Sequence, residues 1–120
     1  MTSRWTVELS DEVRDWYLGL AERDRAVADR VIELLEDRAP LLRMPHSRSL
    51  GDDLLELRLN CEHVARRITY SFETERRVVT LTTFRKQRDY ESREVKRART
   101  VLKRYRVDNE SGGGKGRGTK

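Results

Sequence analysis

The stretch Leu50 to Arg88, LGDDLLELRLNCEHVARRITYSFETERRVVTLTTFRKQR, leaves this chain the fewest choices, because it divides into three short strands joined by tight connections. In the first, Leu55, Leu57 and Leu59 alternate with Glu56, Arg58 and Asn60, the period of two that marks a half-buried strand. The second separates Val64, Ile68, Tyr70 and Phe72, with Arg66 as the misfit, from Ala65, Arg67, Thr69 and Ser71. The third sets Val79 and Leu81 against Val78, Thr80, Thr82, Phe84 and Lys86. With the Leu, Ile and Val rows turned to a core, alternation sends Arg58, Arg67 and Lys86 to one open, Thr- and Ser-lined face. Opposed like charges repel across a sheet, so such a face is built for an anion, and phosphate is the natural candidate.

The flanking segments supply the cover. Trp5, Val7 and Leu9 alternate in a strand over residues 4–9, and Ser10-Asp11-Glu12 is a helix start. Val13, Trp16, Tyr17 and Leu20 form one apolar stripe, Gly19 weakens the helix, and a break falls near Leu20–Asp24. A second helix runs from about Asp24 to Arg38, with Val27, Val31, Leu34 and Leu35 inward and Pro40 ending it. This hairpin covers the leucine rows. Pro40 to Ser49 has two prolines and no period, so it reads as a loop in which His46 is solvated. His63 sits in a turn beside the basic strand and is a candidate base. A basic helix follows to about Tyr105, with Val95, Ala98, Leu102 and Tyr105 as its seam. The expected architecture is α+β: one domain over residues 1–105 and a flexible, basic, Gly-rich tail over 106–120.

The charge is unevenly placed. Residues 1–62 carry 9 Lys or Arg against 14 Asp or Glu, whereas residues 63–105 carry 13 against 5, which points the C-terminal half at nucleic acid. A length of 120 residues suits a single two-layer core. No apolar run approaches the roughly 20 residues of a membrane span, and no signal-peptide pattern precedes Trp5. The lone Cys61 has no internal disulfide partner, so a cytoplasmic protein without membrane association is expected. The sequence lacks GxGxxG, P-loop, HExxH and Cys/His metal spacings, so neither cofactor nor metal is expected.

The order strand, helix pair, three strands, basic helix, together with LGDDLLELRLN, ARRITY and LTTFRKQR, resembles the RelE/ParE superfamily of bacterial toxins over residues 4–105, in its HigB-like, phage Gp49-related branch. Its marks are ELR in the first central strand, R-x-x-Y at Arg67–Tyr70 and F-R-K at Phe84–Lys86. The resemblance implies a compact RelE-like fold: an N-terminal strand and helical hairpin on a small, twisted, mainly antiparallel sheet, with a basic C-terminal helix. It implies the toxin of a type II toxin-antitoxin system, an endoribonuclease that cleaves mRNA on the ribosome without metal, by attack of the ribose 2′-OH on the adjacent phosphate. It implies Arg67, Lys86 and Arg88 as catalytic cations, and Arg58, Arg85, Tyr70 and Tyr90 as substrate-binding residues. Preorganised cations stabilise the charge that builds on the phosphorane more than they stabilise the ground state. Crowding by Arg58, Arg67 and Arg88 makes Lys86 a candidate acid or base. The implied partner is a cognate antitoxin, helix-turn-helix and HigA-like, beside mRNA and the ribosome. Two other readings stay open: a ParE-like gyrase poison, and a nucleic-acid-binding module without enzymatic activity.

Overall fold

In the computed structural model, which describes residues 4–87 and 91–113, the chain runs β1 (Thr6–Glu8), α1 (Asp11–Leu18), α2 (Glu22–Arg38), β2 (Ser47–Gly51), β3 (Leu54–Cys61), β4 (Val64–Glu73), β5 (Arg77–Arg85) and α3 (Glu91–Gly113). One sheet holds all five strands in the order β1-β5-β4-β3-β2, with β1 parallel to β5 and every other pair antiparallel. The hairpin connections turn through left-handed backbone at Asp52–Asp53, Glu62–His63 and Glu75–Arg76, the twist that suits right-handed strand pairs.

The alternation of β3 and β4 is realised as expected. Leu57 and Leu59 of β3, with Ile68 and Tyr70 of β4, meet Val13, Leu20, Ala28, Val31 and Leu35 of the helical hairpin segment in the larger core. Ser10 caps α1 by accepting from the Val13 N–H at 3.2 Å and also donates to the Leu81 carbonyl at 2.9 Å, which ties the helix start to β5.

Several expectations are corrected. The reverse face of the sheet is not open throughout: Ala98 and Leu102 of α3 pack there on Leu54, Val79 and Leu81, forming a second apolar cluster. The chain therefore buries apolar side chains on both faces of one sheet rather than in a single two-layer core. β5 runs between the two clusters and is buried from Val78 to Phe84. The second correction is to the Pro40–Ser49 segment, which holds a short 3-10 turn at Ala39–Leu41 and the start of edge strand β2. An edge strand mostly exposed on both sides has no periodic pattern to betray it.

A bulge explains the irregular third strand. Ile68 pairs with Thr83 but Tyr70 pairs with Thr80, so Leu81 and Thr82 together stand opposite Thr69. The Thr69 hydroxyl takes up the slack, accepting from the Thr82 N–H at 3.0 Å and lying 2.7 Å from the Thr82 hydroxyl. Past the bulge the phase of β5 has shifted, and Phe84 comes to stand opposite Arg67. The C-terminal helix continues to Gly113 instead of stopping near Tyr105. Among the described residues, no helix is long and apolar enough to cross a membrane.

Candidate functional site

With Leu55, Leu57 and Leu59 committed to the larger core, the pleat of β3 delivers Glu56 and Arg58 to the reverse face, and β4 delivers Arg67 and Thr69 to the same side. The register sets Arg58 directly opposite Arg67 and Glu56 opposite Thr69, while β2 adds Arg48 opposite Glu56. Three arginines thus gather on the part of the face that the α3 cluster does not occupy.

Glu56 lies beneath them, fully buried, with Oε2 at 3.6 Å from Arg67 Nε and 3.8 Å from Arg58 Nε. These contacts are ionic and long. Among the described residues, neither Glu56 oxygen nor Arg67 Nε has a hydrogen-bond partner. Burial raises the Glu56 pKa above its ordinary value and the charge of Glu91, at the start of α3, raises it further, while Arg48 and Arg67 pull it down. Burial, and after it the neighbouring Arg58, lower the pKa of Arg67 from its usual value; a guanidinium stays charged all the same.

Beside the arginines opens a cavity of about 560 Å³. It sits where β3 runs past the start of β2, since Leu59 to Cys61 have no β2 partner. Val27, Val31, Pro45 and Leu59 make an apolar wall, and His46, Arg58, Asn60 and Arg67 make the polar one. The turn before β2 is fixed there by backbone bonds: the His46 N–H donates to the Arg43 carbonyl at 2.9 Å, and the His46 carbonyl accepts from the Arg58 N–H at 2.9 Å. Arg58 Nη1 also reaches the Met44 sulfur at 3.0 Å.

The other expected site residues fall in different places. Lys86 is exposed just past β5, and its N–H donates at 2.8 Å to the carbonyl of Ala65, itself a lining residue of the cavity. Arg85 pairs with Arg66 and faces away from Arg67; it lines a separate depression with Glu62, Val64 and Arg66. Tyr70 is fully buried in the larger core, its hydroxyl bonded to that of Ser47 and its ring edge-on to Phe72. The structure therefore brings neither Arg85 nor Tyr70 to the cavity. Arg88 and Tyr90 lie outside the described residues. His63, at the tip of the β3–β4 turn, does not line the cavity.

Sequence reasoning passed over Glu56 and Arg48 and read His46 as a solvated loop residue; the structure has it exposed, on the wall of the cavity. Glu56 stood in plain view inside ELR, but its meaning depends on which residues flank it across the sheet. Among the described residues, no cluster of three His, Cys, Asp or Glu stands where it could hold a metal ion.

The family model described as phage derived protein Gp49-like matches residues 15–106. Among solved structures, the toxin RelE of E. coli, in the free state as a double arginine-to-alanine mutant, aligns with a TM-score of 0.54 and 16% identity over 84% of this chain and 97% of that one. At that identity the likeness speaks for the fold. Comparison with the curated proteins finds no match.

Proposed function

The chain belongs to the Gp49-like family of phage-derived proteins, and from that membership and its RelE fold we propose that it is the toxin of a type II toxin-antitoxin system that cleaves mRNA, in the cytoplasm and on the ribosome. The observation that carries this reading is the Arg58–Arg67 pair. Two guanidinium groups are forced together by strand register at the mouth of a cavity, with one buried carboxylate between them. Such an arrangement is costly in the free protein and is relieved when a phosphate arrives.

In the proposed reaction Arg67 and Arg58 hold the non-bridging oxygens of the scissile phosphate and stabilise the extra charge of the phosphorane as the ribose 2′-oxygen attacks. Lys86, beside the Ala65 edge of the cavity, supplies a further cation to the phosphate or the leaving oxygen. A HigA-like, helix-turn-helix antitoxin is the proposed partner, restraining the toxin by covering these cations.

Induced expression of the wild-type chain without an antitoxin is expected to arrest growth and to leave cleaved transcripts in primer extension. Arg67→Ala and Lys86→Ala are each expected to abolish both effects while the protein stays folded. Transcripts that remain intact beside a loss of gyrase supercoiling would replace this reading with gyrase poisoning. Salt-sensitive RNA binding without cleavage, ribosomes present, would reduce it to a binding module.

A further inference from the structure

We propose that His46 is the general base of the RNA cleavage, a role that rests on the ribonuclease reading above and names the group that takes the 2′-OH proton. The base must be a side chain at the cavity that can both exchange a proton and touch a substrate. Arginines cannot serve, since a guanidinium does not give up its proton in a protein, and Lys86, past the end of β5, does not line the cavity. Glu56 has a titratable carboxyl but is fully buried under Arg58 and Arg67, out of reach of a ribose. His46 is exposed and lines the same cavity as both arginines. Imidazole is also the side chain whose ordinary titration range lies closest to neutral pH, where a base works best.

Its placement is fixed by the fold. The two backbone bonds of His46, to Arg43 and from Arg58, anchor the residue on both sides. Ser47, next in the chain, is buried and bonded to the Tyr70 hydroxyl in the larger core. Core packing thus positions a residue that stands in a turn. The charged groups lining the cavity with His46 are Arg58 from β3 and Arg67 from β4, while α2 contributes the apolar Val27 and Val31. A ribose and base can lie against that apolar wall with the phosphate toward the arginines.

In the step itself the neutral imidazole accepts the 2′-OH proton as the 2′-oxygen forms its bond to phosphorus. The bond from phosphorus to the 5′-oxygen breaks, and that oxygen leaves with a proton from water. The products are a 2′,3′-cyclic phosphate and a 5′-hydroxyl end, and the imidazolium returns its proton to water. Atoms and charge balance without oxidant, metal or further reactant.

The test compares wild type, His46→Ala, His46→Asn and Arg67→Ala in single-turnover cleavage of a reporter mRNA on ribosomes across pH 5 to 9, with RNA binding measured in parallel. Both His46 variants are expected to cleave about 100-fold or more slowly at neutral pH, the usual scale for losing a general base, while binding RNA within about threefold of wild type. The wild-type rate should rise with pH, and that rise should vanish in both variants. Slower cleavage with the rise intact would show that His46 only shapes the turn, and overturns the proposal. Wild-type rates in His46→Ala beside an inactive Arg67→Ala would overturn it and leave the ribonuclease reading standing. No cleavage by wild type would remove both.

Discussion

Arg58 and Arg67 are direct partners across β3 and β4, and the carboxylate of Glu56 lies 3.8 Å from one and 3.6 Å from the other. Their geometry makes the protein's most exacting electrostatic arrangement a by-product of its simplest pattern. Once the leucines of β3 face the helices, the intervening residues have one place to go, and register decides what they meet. Glu56 lies between the arginines without reaching solvent itself.

The first prediction concerns Glu56 and pH. Its folded-state pKa is raised, chiefly by burial and then by Glu91, so folding favours the protonated carboxyl. The stability that this group contributes is therefore fully present below its ordinary value of 4.5 and is lost as pH rises through the raised folded value. Glu56→Gln fixes the side chain in a neutral form of the same shape. Urea unfolding of the two proteins should coincide at acid pH and then diverge, with the variant becoming the more stable as pH rises. A variant that loses stability relative to wild type toward neutral pH would show instead that the ionised carboxylate is what the arginines require.

A second prediction separates the two faces of the sheet. Each phosphate contact on a single strand adds about 0.7 to the slope of log affinity against log salt. Arg58→Ala and Arg67→Ala should each lower the slope of RNA binding by about that amount. Arg85→Ala should leave it unchanged, because Arg85 stands opposite Arg66 on the far face. Equal losses for Arg85 and Arg58, in fluorescence titrations across a salt series, would mean that RNA wraps the strand end rather than entering the cavity.

Alternation in Leu55–Asn60 and the spacing of Val13, Trp16 and Leu20 are local signals, and both the sheet and its helical cover could be read from them. The pairing of Arg58 with Arg67 could be anticipated as a shared face. Tyr70 and Arg85 entered the site by motif alone, whereas alternation already set Tyr70 in the apolar row of β4 and Arg85 out of phase with Phe84 and Lys86, and that is where the structure places them. His46 read as a solvated loop residue because its neighbours are set by the β2–β3 pairing, a contact made 12 residues along the chain at Arg58.

The bulge at Leu81–Thr82 has a structural guardian, and a third prediction follows from it. Thr83 N–H donates to Glu12 Oε2 at 2.8 Å, and Arg97 of α3 grips the same carboxylate with contacts of 2.7 and 3.0 Å. One side chain of α1 thereby joins β5 to the helix on the other face. The ion pair is more than one third exposed on both sides, so solvent limits its coupling to about 0.5–1 kcal/mol. Glu12→Ala also leaves a backbone N–H without its acceptor, and should cost about 1–2 kcal/mol in all. Arg97→Ala should cost less than Glu12→Ala. Denaturant melts of both single variants and the double variant test this, and equal costs for the two single changes would show that the Thr83 contact contributes nothing.

The last prediction turns on the two histidines. His63 holds a left-handed backbone with φ of 64° at the exposed tip of the β3–β4 turn, a conformation that costs a side-chain-bearing residue about 1–2 kcal/mol. Glycine adopts it freely, although its flexible unfolded chain gives back about 0.5–1 kcal/mol. His63→Gly should therefore gain about 0.5 kcal/mol, a rise in Tm of about 2–4 °C for a domain of this size. Because His63 does not line the cavity with Arg58 and Arg67, the same change should leave RNA cleavage and its pH dependence as in wild type. A more stable protein that cleaves normally would set the two histidines apart, one a strained turn residue and the other a base. A stable His63→Gly protein that had lost cleavage would move the base to the hairpin tip.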